Sequence, residues 1–143
     1  MSEQMSRETR APKGRVLVVA GSDSGGGAGI QADIKSIMAQ GAYATTAITA
    51  LTAQNTMGVQ DIMDVSPDFV ARQITSVLED IGTDIVKTGM LNRRALIEHV
   101  AQTLADAGAP MVVDPVMVAT SGDRLLDEDA VSALSDLLVS NAF

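Results

Sequence analysis

The sequence predicts an α/β fold, a mostly parallel sheet with helices on both faces. Three observations predict it. Short apolar runs rich in Val and Ile alternate along the chain with segments of helical periodicity. The connections between them are short, as strand–crossover–strand units require. Apolar residues make up 46% of the chain but aromatics only 2%, so the expected core is Val, Ile, Leu, Met and Ala. A chain of 143 residues suffices for one domain with a real core.

Each element has its own signal. Residues 15–20 contain Val16-Leu17-Val18-Val19-Ala20, a buried-strand run. A helix over 28–40 puts Ile30, Ile34, Ile37 and Met38 on one face, with Gly41 just past its end. A second strand, rich in Thr and Ala, spans 42–50. Residues 52–58 are polar and turn-like, and 59–65 predict a short edge strand. Ser66-Pro67 starts a helix, with Ser as N-cap and Pro at its first position. Val70, Ile74, Val77, Leu78 and Ile81 form its core face. A strand over 84–87 leads into Thr88-Gly89-Met90. Asn92 caps a helix that turns Leu96, Ile97, Val100 and Leu104 inward and ends near Gly108 and Pro110. Met111-Val112-Val113 is a further strand, ending at Asp114-Pro115. Asp127 caps a last helix that buries Val131, Leu134 and Leu138. Residues 1–14 read as a flexible N-terminal tail ahead of a single domain over 15–143.

Composition excludes several function classes. The net charge is −8, which argues against nucleic acid as the main partner, because phosphate backbones select basic surfaces. Backbone amides can still hold a local anion. There is no cysteine, hence no disulfide and no thiolate chemistry. No apolar run approaches the length of a membrane span. Residues 1–13 lack the apolar stretch of a secretory signal, so a cytoplasmic location is expected.

The candidate site begins with Gly21-Ser22-Asp23-Ser24-Gly25-Gly26-Gly27-Ala28-Gly29. A strand, a Gly-rich turn and a helix N-terminus aim backbone amides at a bound polar or anionic group. A tight connection without a ligand is the plain alternative, but five glycines in nine residues exceed its need. A Walker A loop is ruled out, because no Lys precedes Lys35 in this stretch. Gly27–Ala32 fits G-x-G-x-x-A, yet it begins seven residues beyond the strand, and no acidic residue follows strand two to hold a ribose. A nicotinamide site is therefore not expected. Ligands of such sheets bind at the C-terminal strand ends. Four polar or Gly-bearing segments follow strands here, 21–29, 52–55, 88–90 and 114–122, and their convergence would make one pocket.

Single residues leave alternatives open. Asp33 borders the apolar stripe of its helix, so it is either an exposed rim residue or a pocket carboxylate accepting from a ligand amine. Gln54 and Asn55 suit heterocycle edges, since amides donate and accept, but loops are full of such residues. Met90 is core filler or a ligand contact. Asp114 holds a hydrated Mg²⁺ or phosphate-bound water, or caps the next turn. Lys87 meets a phosphate or is a solvated cap. His99 lies away from the strand ends and reads as a surface residue.

The stretch from Ala20 to Asp33 resembles the opening motif of the hydroxymethylpyrimidine/phosphomethylpyrimidine kinases of thiamine biosynthesis, in the ribokinase-like superfamily. Three further segments agree in order and spacing: Ile48–Thr56, Lys87–Leu91, and Asp114–Met117 with Ser121-Gly122. The similarity covers about residues 15–138, and pyridoxal kinases share part of the pattern. The resemblance implies ATP-dependent phosphorylation of a small pyrimidine and then of its monophosphate, with Mg²⁺. It implies that Gly21 lines the pyrimidine pocket, that Asp33 and Gln54 hydrogen-bond the ring, that Met90 and Val116 pack against it, and that Asp114 lies near Mg²⁺ and phosphate. The Gly loop would then serve the acceptor rather than ATP. Family members commonly form homodimers and are about twice this length. Their second half carries the adenine pocket and a Gly-Thr-Gly-Cys-like anion hole, and no such run occurs in these 143 residues. The expectation is a truncated, pyrimidine-binding N-terminal half with no catalytic residue assigned. Thr120 also stands where relatives often carry Lys.

Overall fold

The structure is a computed structural model that describes residues 11–119, 121–122 and 124–143. Thr120 and most of the predicted tail lie outside the described residues. Five strands form one sheet: β1 (Arg15–Asp23), β2 (Tyr43–Asn55), β3 (Gly58–Asp64), β4 (Ile85–Thr88) and β5 (Met111–Val113). Their order is β3-β2-β1-β4-β5. All pairings are parallel except the antiparallel β2–β3 hairpin. The helices are α1 (Gly29–Ala39), α2 (Pro67–Asp80), α3 (Arg94–Leu104) and the one-turn α4 (Ala130–Ala133). After α4 the chain continues as a π turn over Leu134–Leu138 and a 3-10 turn over Val139–Asn141.

The alternation of β1 builds both cores. Leu17 and Val19 face a large cluster with Val70 and Ile74 of α2, Ile97 and Val100 of α3, and Leu134 and Leu138. Val18 and Ala20 point the other way and pack with Ile30, Ile34 and Ile37 of α1. The sheet therefore carries helices on both faces, as the sequence predicts.

Several boundaries differ from the sequence reading. Residues 52–55 are strand, not turn: β2 runs on to Asn55 and pairs Thr52 with Ile62. The ladder with β3 takes up backbone groups that polarity alone assigned to a loop. The true turn follows Asn55, whose Oδ1 accepts from Met57 N at 2.9 Å. β1 likewise extends to Asp23, because the longer β2 offers Leu51 and Thr52 as partners. Ser66 does cap α2, accepting from Phe69 N, with Pro67 at the first turn. Ile81 is exposed at the helix end rather than in the core. Asn92 is not a cap. Its Nδ2 donates to Asp64 Oδ1 on β3, and Arg93 takes the N-cap position without a side-chain bond. Asp127 acts through its carbonyl, which accepts from Ala130 N at 3.1 Å, and Val131 is exposed. His99 is on the surface, 3.2 Å from Asp68.

Two local devices set the ends of β1. At its start, Arg15 donates from its backbone N and its guanidinium to Asp84. These hydrogen bonds, the side-chain one foremost, hold the Asp84 carboxyl down at about 2, against an ordinary 3.8. At its far end, Gly29 opens α1 with φ +57°, and a Cβ there would lie 2.4 Å from the Gly21 carbonyl oxygen. Only glycine permits both that backbone and that approach.

Two outcomes follow. A depressed carboxyl stabilises the fold above its ordinary range, and that contribution is lost as pH falls through about 2. Asp84→Asn should therefore flatten the acid-unfolding curve between about pH 4 and pH 2, followed by circular dichroism. Gly29→Ala should cost at least about 2 kcal/mol in urea unfolding, from backbone strain and the carbonyl clash together.

Candidate functional site

The C-terminal ends of β1, β2, β4 and β5 surround a pocket of about 300 Å³. Its floor is the end of β1, where Gly21 meets Met90: a Cβ on Gly21 would lie 2.9 Å from the Met90 Cε. Both irregularities of sheet register fall at this end, between Ala20 and Ser22 and between Ala53 and Gln54. Such bulges re-aim side chains next to sites.

The Gly loop is closed by its own carboxylate. Asp23 is 6% exposed. Its Oδ1 accepts from Gly25 N at 2.7 Å, and its Oδ2 accepts from Gly27 N at 3.0 Å and Ala28 N at 2.8 Å. Gly26 N donates to the Asp23 carbonyl. The amides of Gly25, Gly26, Gly27 and Ala28, which the sequence offers to a bound anion, are thus already taken by Asp23. Ser24 Oγ donates to the Gln54 carbonyl at 2.6 Å and accepts from Gln54 N at 2.8 Å, which pins the loop to β2. Gln31 on α1 accepts from Asp23 N and donates to Ser22 Oγ. The two-residue step from Asp23 to Gly25 is an Asx-type signal visible in the sequence.

Gly21, Asp33, Gln54, Met90, Val116 and Asp114 all line this one pocket. Gln54 keeps its side chain in place through Oε1, 3.1 Å from Thr52 Oγ1, and its Nε2 has no partner among the described residues. Asp33 is an inward carboxylate, not a solvated rim residue. Its Oδ2 accepts from Lys87 Nζ at 2.8 Å, and both side chains are 21% exposed. Asp114 stands 3.6 Å from the same ammonium and is 55% exposed. Lys87 is therefore a pocket residue, not a solvated cap. Alternation along β4 put it on the α1 side, opposite the buried Val86, but nothing local named its partners. Val118, Ala119 and Leu125 add an apolar wall from the loop after β5. Asn55 serves the hairpin turn instead of the pocket.

For a divalent cation, the described residues contain no group of three or more His, Cys, Asp or Glu side chains placed to bind one. Asp114 fits the looser arrangement common for Mg²⁺, one carboxylate acting through water with phosphate oxygens supplying the rest. No described helix is long and apolar enough to cross a membrane.

Comparison with known proteins finds relatives of one family. The family described as phosphomethylpyrimidine kinase matches residues 23–143. The hydroxymethylpyrimidine/phosphomethylpyrimidine kinase of Rhizobium meliloti is 54% identical over 123 residues, covering 86% of this chain and 46% of its own. The thiamine biosynthesis bifunctional protein ThiED of Geobacter sulfurreducens is 51% identical over 139 residues, 96% of this chain and 28% of its own. The chain thus spans less than half the length of these relatives. The crystal structure of phosphomethylpyrimidine kinase from Clostridium difficile superposes with a TM-score of 0.84 at 42% identity, over 90% of this chain and 56% of that one. Pyridoxal kinase from Staphylococcus aureus, in complex with pyridoxal, gives 0.80 at 32% identity, over 93% and 49%. With the family match spanning most of its length, this chain belongs to the phosphomethylpyrimidine kinase family.

Proposed function

We propose that this pocket binds 4-amino-5-hydroxymethyl-2-methylpyrimidine and its monophosphate, as the acceptor site of an ATP-dependent kinase. The observation that carries the reading is the pairing of a fixed carboxylate, Asp33, with an amide, Gln54, across apolar walls from Met90 and Val116. An aminopyrimidine offers donors to a carboxylate and both kinds of edge to an amide. Its flat faces suit the Met90 thioether and the Val116 methyls. Gly21 contributes by lacking a side chain, which leaves the Met90 methyl in place.

In the reaction, the hydroxymethyl oxygen bonds to the γ-phosphorus of ATP, the β,γ-bridging bond breaks, and ADP leaves with the electron pair. The hydroxyl proton is released. Relatives solved with ADP and with AMP-PCP, the Staphylococcus aureus pyridoxal kinases, support ATP as donor. Mg²⁺ would neutralise phosphate charge, with Asp114 holding it through water. This chain's residues bind and orient the acceptor. Transfer itself needs donors aimed at the migrating phosphoryl group, and in the Gly loop the amides of Gly25, Gly26, Gly27 and Ala28 are already engaged by Asp23. The reading carries a cytoplasmic location and a homodimer with it; sedimentation of the purified chain tests the latter.

The likeness to pyridoxal kinase supports a second reading, a pyridoxal acceptor. Titration calorimetry separates the two. The chain should bind the aminopyrimidine at least about tenfold more tightly than pyridoxal, and the reverse order would sink the first reading. Gln54→Ala should weaken pyrimidine binding about tenfold or more, and unchanged affinity would remove Gln54 from the site. With Mg-ATP and the free pyrimidine, mass spectrometry should find no monophosphate above the background of an Asp33→Ala/Asp114→Ala variant. Product above that background would make this chain a kinase by itself; binding without product is a binding module.

A further inference from the structure

We infer that Lys87 is a positioning residue that sets the acceptor specificity of this pocket, an assignment that rests on the acceptor reading above. Lys87 is the sole cation lining the pocket among the described residues. Its ammonium donates to Asp33 Oδ2 at 2.8 Å and lies 3.6 Å from Asp114 Oδ2. Lys35, the other nearby lysine, is committed to the Gly26 carbonyl on the far side of the loop. The space for the ammonium is built in. A Cβ on Gly89 would lie 3.2 Å from Lys87 Nζ and 2.9 Å from the Ala20 Cβ, so the bare backbone of Gly89 leaves the channel open.

The consequence lies in which oxygen remains. With Oδ2 of Asp33 engaged by Lys87, Oδ1 is left for a ligand donor. A ring bearing an exocyclic amine can donate to it. A ring bearing only an acceptor at that place cannot, and an anionic oxygen there also meets like charge. Without the ammonium, Asp33 would rotate freely, and the carboxylates of Asp33 and Asp114 would share the pocket with no cation between them. Lys87 thus fixes the carboxylate that reads the amine, without itself touching the amine. The competing role, a free lysine waiting for a phosphate, fits poorly with an ammonium already in a short pair with Asp33.

Titration calorimetry on the 143-residue chain tests this with three ligands: the aminopyrimidine, the same ring with hydrogen in place of the amine, and the aminopyrimidine monophosphate. The native chain should prefer the amine-bearing ring about tenfold. Lys87→Met should bring that ratio close to one, while Lys87→Arg, which keeps the charge, should retain most of it. Lys87→Gln, shorter and neutral, carries the same test should Lys87→Met fail to fold. A preference that survives in the neutral variants overturns the assignment. So does a loss confined to the monophosphate, which would make Lys87 a phosphate contact. If the native chain binds none of the three ligands, the acceptor reading itself fails and Lys87 falls with it; if it binds and discriminates as before in Lys87→Met, only the role of Lys87 fails.

Discussion

The closure of the Gly loop around the Asp23 carboxylate is the constraint on which this pocket depends. A buried carboxylate needs several donors, and three backbone amides provide them. The chain must then curl tightly from β1 into α1, which it does by placing Gly29 in the left-handed region against the Gly21 carbonyl. That curl brings Asp33, one turn into α1, over the end of the sheet. It also presents Ser24 to Gln54 and so ties β1 to β2 at the rim. Loops of this composition elsewhere spend their amides on phosphate. Here the protein supplies its own anion, and the loop becomes a wall.

The sheet contributes unequal coverage. On one face, α2, α3 and the C-terminal turns bury the large cluster around Leu17, Ile74 and Ile97. On the other, α1 covers β1 and β2, while Ile85 and Val112 on β4 and β5 remain exposed. Lys87 lies between these regions, paired in register with Val18 and Val112. Its stem rests on the sheet and its ammonium reaches the strand ends, where four segments meet. The pocket therefore combines aliphatic walls with one carboxylate–ammonium–carboxylate line, which suits a small heterocycle with a few polar edges.

Much of this was legible in the residues. Period-2 and helical patterns located the strands and the three long helices, and Ser66-Pro67 marked a helix start that the structure keeps. The segments after the strands were recognisable as converging loops because an α/β sheet of this kind gathers its ligands there. Polarity misled at residues 52–55, where pairing with β3 outweighed the turn-like composition. Asn92 misled for a related reason: a cap and a cross-chain hydrogen bond use the same amide, and Asp64, 28 residues away, claimed it.

The sequence by itself determined the fold class, the central strand with its two-faced alternation, and the glycine-dependent turn into α1. Each of these is local: side-chain periodicity, the missing Cβ, and the reach of Asp23 over a few residues. Only the tertiary structure decided that Asp33 faces inward and that Lys87 links it to Asp114. Lys87 and Asp33 are 54 residues apart in the chain, and an ion pair forms by distance in space. That distance was set by the order in which β1 and β4 lie side by side, which no local pattern records.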